Sequence, residues 1–334
     1  YFSWRWCLYV NLFFAAIAIA GALAYMRTNR PETRPGMDWA GTVLASAGLF
    51  LIVFGFSRAE LAGWTAALTI GSLVGGVILL TAFAFAESRV SHPLLPLRVV
   101  LDRARGGSYI SVGLTGIAVF GVFLFLTYYL QEVKGYSPVT SGLAFLPMIG
   151  CILLSSNTSS ILLLPRAGPR ALIVTGMLLG GAAMGYLTQI TVTSSYAVSV
   201  VPALVVMGLG FGMIFSPAIN TATAGVARRD SGVASALVNT MQQVGGSIGT
   251  AALSTVALTA TASYLTAHHA GRLAPATAAV HGYIVAFSVS AALFGVGALV
   301  AVLLLPSRRR LEELRNMEPA ADAAPAASAT PAAR

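Results

Sequence analysis

The sequence predicts an all-α polytopic membrane protein, a bundle of nine transmembrane helices. Three observations carry that expectation. Of 334 residues, 57% are hydrophobic and only 9% are charged, whereas soluble domains carry about 25% charged residues to cover a wet surface. The mean hydropathy is +0.80. Nine apolar stretches each reach the roughly 20 residues that a helix needs to cross a bilayer core. A soluble multi-domain enzyme and a disordered chain are excluded by the same composition.

The stretches, in order, are 7–26, 38–57, 66–87, 107–131, 140–164, 169–189, 196–220, 232–258 and 281–305. Turn and charge signals separate them: Arg30-Pro31-Glu32, Arg58-Ala59-Glu60, Glu87-Ser88-Arg89, Gly135-Tyr136-Ser137-Pro138, Arg166-Ala167-Gly168-Pro169 and Arg228-Arg229-Asp230. None of the nine alternates apolar and polar residues over a barrel-strand length, which leaves helices. The first stretch is not read as a signal peptide. Ala22-Leu23-Ala24 resembles a cleavage site, but the apolar run before Arg27 is too long and its main charge lies on the wrong flank.

The net charge of +9 does not point to nucleic acid. Lys134 is the sole lysine, and the arginines cluster between apolar runs instead of forming a basic stripe interleaved with aromatics. Summed over alternate loops, sixteen basic residues stand on one side, from Arg27 to Arg334, against Arg5, Arg58, Lys134 and Arg272 on the other. The richer side is expected to be cytoplasmic, with Tyr1 outside and the C-terminus inside. An odd span count with an external first residue, and no initial methionine, leads us to expect the later part of a longer protein. Residues 306–334 end in an Ala/Pro-rich tail expected to be disordered.

Catalytic constellations do not emerge. Asp38, Glu60, Glu87, Glu132 and Asp230 all fall at span ends, so no buried carboxylate relay can be assembled from these spans. Cys7 and Cys151 sit in apolar runs with no disulfide or metal spacing. His268, His269 and His281 read as loop or span-edge histidines, without the acids or cysteines that a metal site would add.

Uncharged polar and small residues say more. Gly232, Ser235, Asn239, Gln242, Gly246 and Gly249 recur at three- and four-residue steps and form one stripe of a helix. Two readings stand: a tightly packed seam, or a cavity lining in which Asn239 and Gln242 meet substrate or water. Gly208-Leu209-Gly210-Phe211-Gly212 lies within an apolar helix, which excludes a dinucleotide loop. Gly212, Ser216 and Asn220 share a face, and Pro217 should bend the helix there. Phe123, Phe125, Tyr128, Tyr129 and Gln131 close their span as an interfacial aromatic belt or, through Tyr128 and Gln131, as a surface for an aromatic or cationic compound. The polar run Ser155–Ser160 must face protein or water.

Taken together these residues resemble a known family. Ser3-Trp4-Arg5-Trp6 with Asn11, Met37-Asp38-Trp39-Ala40-Gly41, Gly63-Trp64, and Glu87 with Pro93-Leu94-Leu95-Pro96-Leu97-Arg98 are similar to successive boundaries in the fourteen-helix drug:proton antiporters (EmrB/QacA type) of the major facilitator superfamily. So are Tyr128-Tyr129-Leu130-Gln131, Gly135-Tyr136-Ser137-Pro138, Ser141-Gly142 and Leu146-Pro147, and later Gly232, Ala234-Ser235-Ala236, Asn239, Gln242-Gln243 and Gly245 to Gly249. The resemblance covers all but the tail and corresponds to helices six to fourteen. Two departures stand out: the membrane acid that usually takes the proton is missing, and Leu164 to Arg170 looks like a degraded loop signature without its acid.

The resemblance implies a division into 1–26, the last helix of an N-terminal bundle; 27–106, two extra linker helices and cytoplasmic loops; 107–305, a six-helix bundle; and 306–334, the tail. It implies multidrug efflux and antibiotic resistance, exporting small amphipathic compounds across a bacterial inner membrane by alternating access. The proton gradient is the energy source and there is no cofactor. The lipid bilayer and, on the far side, periplasmic adaptor proteins are the partners it admits. Tyr128, Gln131, Asn220, Asn239 and Gln242 become substrate-binding candidates, with Gly208, Gly212, Pro217, Gly246 and Gly249 as conformational or packing positions. Another cargo on the same fold, such as a lipid, siderophore or amino acid, and a truncated remnant without transport remain alternatives.

Overall fold

The computed structural model describes residues 5–25, 38–90, 95, 97–224, 226, 230–267 and 274–307. Every regular element among them is helical. The chain divides into two units, Tyr1–Met37 and Asp38–Arg334. The first contains α1 (Arg5–Tyr25), which is apolar around its circumference apart from Arg5 and Asn11.

The second unit opens with a helical hairpin, α2 (Trp39–Ala62) and α3 (Ala67–Glu87). Asp38 starts α2 because its carboxylate accepts the Gly41 amide at 2.8 Å, satisfying one of the orphan N–H groups of the first turn. The two helices lie close because glycines face side chains: a Cβ on Gly55 would sit 2.7 Å from Leu73, and one on Gly76 would sit 2.8 Å from Ile52. A short turn, α4 (Leu97–Val100), leads to α5 (Arg103–Tyr128), which Asp102 caps through the Arg105 amide at 3.0 Å.

Beyond α5 the chain makes α6 (Pro138–Ala144), α7 (Leu146–Thr158), α8 (Leu164–Leu187), α9 (Val201–Thr223), α10 (Ser231–Ala267) and α11 (Ala274–Leu304). Wide π-helical turns join or extend them at Tyr129–Val133, Ser159–Leu163 and Tyr196–Val200. The fully buried core gathers Leu126 and Tyr129 of the α5 end with Met177 and Met184 of α8, Phe211 of α9, and Phe287 and Phe294 of α11. Large apolar side chains on the outside, such as Leu154 at 69% and Leu299 at 59% exposure, suit a lipid surround and not water.

The nine expected spans become eight long apolar helical runs among the described residues. The difference lies at 140–164 and 169–189, which merge into the single run Pro138–Leu187 of 50 residues. At about 1.5 Å per residue that run is about 75 Å of helix, more than twice a bilayer core. Its backbone leaves helical geometry at Gly168 (φ 77°, ψ 164°). The break supplies the boundary between two crossings without a loop, because only glycine takes that left-handed φ at little cost. The first stretch, expected at 7–26, is observed at Arg5–Tyr25 and the last, expected at 281–305, at Ala274–Leu304. The loop at 27–37 and the tail from 308 lie outside the described residues.

Candidate functional site

The stripe expected along α10 divides into two faces. Ser235, Asn239 and Gln243 stand exposed at four-residue steps. The Asn239 amide reaches only its own helix, donating to the Ser235 carbonyl at 3.4 Å. Gly245, Gly246 and Gly249 point the other way, into α5. A Cβ on Gly245 would lie 2.9 Å from the Gly113 carbonyl carbon, and one on Gly249 would lie 2.6 Å from the Ile117 Cα. Gly246 meets the Phe120 ring, with Cζ 3.0 Å from such a Cβ. Gln242 is half-buried, and its carbonyl oxygen is 2.7 Å from where a Cβ on Gly116 would sit. It therefore flanks the seam, while Gln243 continues the exposed face of Asn239. The helical period explains this: four residues on from Asn239 is about 40° away, three residues on is about 60° in the other direction.

The glycines of α9 also meet neighbouring helices. Gly208 faces α7, where a Cβ would sit 3.2 Å from the Met148 carbonyl carbon, and Gly212 faces it at 2.6 Å from the Ser155 Cβ. Gly210 faces α8, 2.7 Å from the Gly176 carbonyl. The helix is thus clamped between α7 and α8, and the Gly-rich pentapeptide is a close-approach device. The Ser155 hydroxyl donates across the seam to the Leu209 carbonyl at 2.7 Å, and the Ser160 and Ser216 hydroxyls hydrogen-bond each other. Within the same run Asn157 donates to the Leu153 carbonyl and Thr158 to Leu154, each at 2.8 Å, while the buried Ser159 hydroxyl has no hydrogen-bond partner among the described residues. Pro217 is buried within α9, which continues to Thr223. Asn220 is exposed, its amide donating to the Ser216 carbonyl at 3.0 Å.

At the end of α5, adjacent aromatics part company. Tyr129 is fully buried and its hydroxyl donates to the Thr191 carbonyl at 2.8 Å. Tyr128 is 41% exposed and Gln131 is half-buried in the π-helical turn. Lys134 donates to the Val192 carbonyl at 2.9 Å, tying this turn to the α8–α9 connection. The Gly135-Tyr136-Ser137-Pro138 motif has a stepwise structural logic. Gly135 takes φ 71°, Tyr136 packs against Tyr196, Ser137 caps α6 through the Thr140 amide at 3.2 Å, and Pro138 fills the first helical turn, where no donor is needed. Phe125 packs against Tyr283 and Phe287, so it belongs to the core and not to a surface belt.

The five substrate candidates do not converge. Gly113 pairs with Gly245, Ile117 with Gly249 and Gly121 with Leu253, so α5 and α10 run parallel. Asn239 therefore lies beside the start of α5, and Tyr128 is about 30 Å further along that axis at 1.5 Å per residue. Asn220 shares the Asn239 end, because Arg105 at the start of α5 donates to the Ala224 carbonyl just beyond α9, at 3.2 Å. The same end carries Arg103 on the Leu303 carbonyl and the Arg98–Asp230 ion pair at 2.8 Å. Both arginine–carbonyl contacts place positive charge at helix C-termini, the favourable end of the backbone dipole. Asn220, Asn239 and Gln242 thus sit toward the arginine-rich end, while Tyr128 and Gln131 sit at the opposite one.

Among the described residues no three His, Cys, Asp or Glu side chains come together to hold a metal. His281 packs on the Tyr264 ring at 4.9 Å, whereas His268 and His269 lie outside the described residues.

Long apolar helices thus pair in parallel through glycine seams, with polar groups at both ends. Residues 1–250 match the family described as Major Facilitator Superfamily. The chain belongs to that superfamily. Within it, this major facilitator is 44% identical over 310 residues to a puromycin resistance protein of Streptomyces alboniger, covering 92% of this chain and 61% of that protein. It is 34% identical over 264 residues to a cephamycin export protein of Amycolatopsis lactamdurans, covering 77% and 53%. A tetracenomycin C resistance and export protein of Streptomyces glaucescens is 30% identical over 252 residues, covering 75% and 46%. The chain thus spans about half to three fifths of the length of these relatives.

Proposed function

We propose that this chain serves a secondary transporter that exports small amphipathic compounds by alternating access, using the proton gradient and no cofactor. In this reading α1 belongs to one helical bundle, α2 and α3 are an inserted pair, and residues 107–305 form a six-helix bundle. The protein resides in a bacterial inner membrane with the arginine-rich end cytoplasmic, and periplasmic adaptors are the partners it admits. Relatives named for resistance to or export of puromycin, cephamycin and tetracenomycin C support the reading.

One structural observation carries most weight. Polar side chains stand exposed on apolar helices at both ends of one bundle, Asn220 and Asn239 at one and Tyr128, beside the half-buried Gln131, at the other. In a membrane such groups are retained where they meet water or substrate, and two ends used in turn is what alternating access requires.

The test is drug efflux in a pump-deficient bacterium expressing the gene's product, with puromycin and ethidium as compounds. Asn239→Ala and Asn220→Ala should each lower efflux with unchanged membrane levels, and a protonophore should abolish it. Efflux that persists in the presence of the protonophore refutes proton coupling. Efflux unaffected by both alanines refutes the residue assignment.

A further inference from the structure

A cleft lies along α10, next to the exposed face that carries Asn239. It opens between α2 and α10 with α5 as its floor, has a volume of about 510 Å³ and is lined by Val53, Ser57, Phe120, Gln243, Ser247 and Thr250. That volume lies within the range of small-molecule sites. Phe120 is near the midpoint of the run Arg103–Val133, so the cleft sits at mid-depth of the bundle. Its walls are tied together where the Trp64 indole, in the turn after α2, donates to the Thr255 hydroxyl of α10 at 3.3 Å.

The chemistry of the lining selects an occupant. Val53 and the 41%-exposed Phe120 offer an apolar wall. The Ser247 and Thr250 hydroxyls of α10 donate to carbonyls of their own helix, at 3.1 and 2.9 Å, and keep acceptor lone pairs for a guest. The Gln243 side-chain amide is exposed and makes no hydrogen bond among the described residues. An amide within an apolar span is costly to leave without a hydrogen bond, and a guest with a hydroxyl or carbonyl would satisfy it. Among the described residues no charged side chain lines the cleft, so an ionised guest would lack a counter-charge there. Gly246 keeps the floor open, since a side chain there would meet the Phe120 ring.

We propose that the cleft between α2 and α10 binds a neutral amphipathic molecule from the bilayer. Its apolar ring or chain lies against Phe120 and Val53, and its hydrogen-bonding group lies on Gln243 and Ser57. This site adjoins the exposed α10 face that carries Asn239, but the proposal does not rest on the exporter reading.

The probe is a diazirine-bearing alkylphenol, one ring and one hydroxyl, photolabelling the gene's product in native membranes with adducts mapped by mass spectrometry. Adducts should be saturable and should fall on α2 and α10 around Ser57 and Ser247. Ser57→Phe fills the cleft from its exposed wall and should remove them. Gln243→Leu keeps the shape and should weaken half-saturation about fivefold, the effect of one hydrogen bond. Thermal melts establish that both variants fold, and if Ser57→Phe does not, Gln243→Leu decides alone. Absence of adducts there, labelling that rises linearly without saturation as for bulk lipid, or labelling indifferent to the folded variants would overturn the proposal. A protein that labels but does not export refutes only the exporter reading; one that exports but does not label refutes only the cleft.

Discussion

The α5–α10 seam makes a single methyl group a strong perturbation. In Gly245→Ala the new Cβ would lie 2.9 Å from the Gly113 carbonyl carbon and 3.1 Å from its Cα. These are backbone atoms, so no side chain can rotate out of the way and the helices must separate by several tenths of an ångström. Overpacking of this kind costs about 1–3 kcal/mol. It also works against the intrinsic helix preference for alanine, worth up to about 1 kcal/mol in the opposite direction. The control is Gly295→Ala in α11, where nothing lies within 4 Å of the new Cβ. There the helix preference acts alone and the change should be neutral or stabilising by up to about 1 kcal/mol. Measured as thermal unfolding of detergent-purified protein, Gly245→Ala should lower the Tm by up to about 12 °C, given about 2–4 °C per kcal/mol for large domains. Gly295→Ala should leave it unchanged or raise it. Equal melting of the two variants would refute the seam argument, because it would mean that backbone proximity does not decide the sign.

Other perturbations follow from the same geometry. Lys134→Met removes the donor to the Val192 carbonyl and the cation from the Tyr129 ring, 5.7 Å away. It should cost about 1–3 kcal/mol, read as a lowered Tm. Gly168→Ala forces a methyl-bearing residue to φ 77° at the break between two crossings. A loss of about 1–3 kcal/mol is expected, seen as lower Tm and lower membrane yield, and a variant as stable as the parent would show that the break is not obligatory.

Class and local punctuation were legible in the sequence because both are written in neighbouring residues. Low charge and long apolar runs fix a helical membrane protein. Pro138 beginning α6 and the break at Gly168 follow from φ preferences that belong to single residues. The candidate site was legible only in part. Asn239 and Asn220 stood out as polar groups in apolar helices, and both are exposed. The pattern did not show that Gln243 shares the exposed face of Asn239 while Gln242 flanks the seam with α5. Glycine spacing pointed to both packing and cavity, and only the neighbour's backbone at Gly208, Gly212 and Gly249 shows which helix each one meets.

By itself, then, the sequence determined what each segment is: which stretches are apolar helices, where they break, and which residues within them are polar. Tertiary structure decided what those residues meet. The periodicity of a helix states which side chains share a face, but not which neighbour that face receives or in which direction the neighbour runs. Because α5 and α10 run parallel, Tyr128 and Asn239 lie at opposite ends of the bundle. Because α2 leans on α10 through Trp64 and Thr255, a cleft opens beside Gln243. Both outcomes depend on contacts between residues far apart in the chain, and a local pattern carries no record of them.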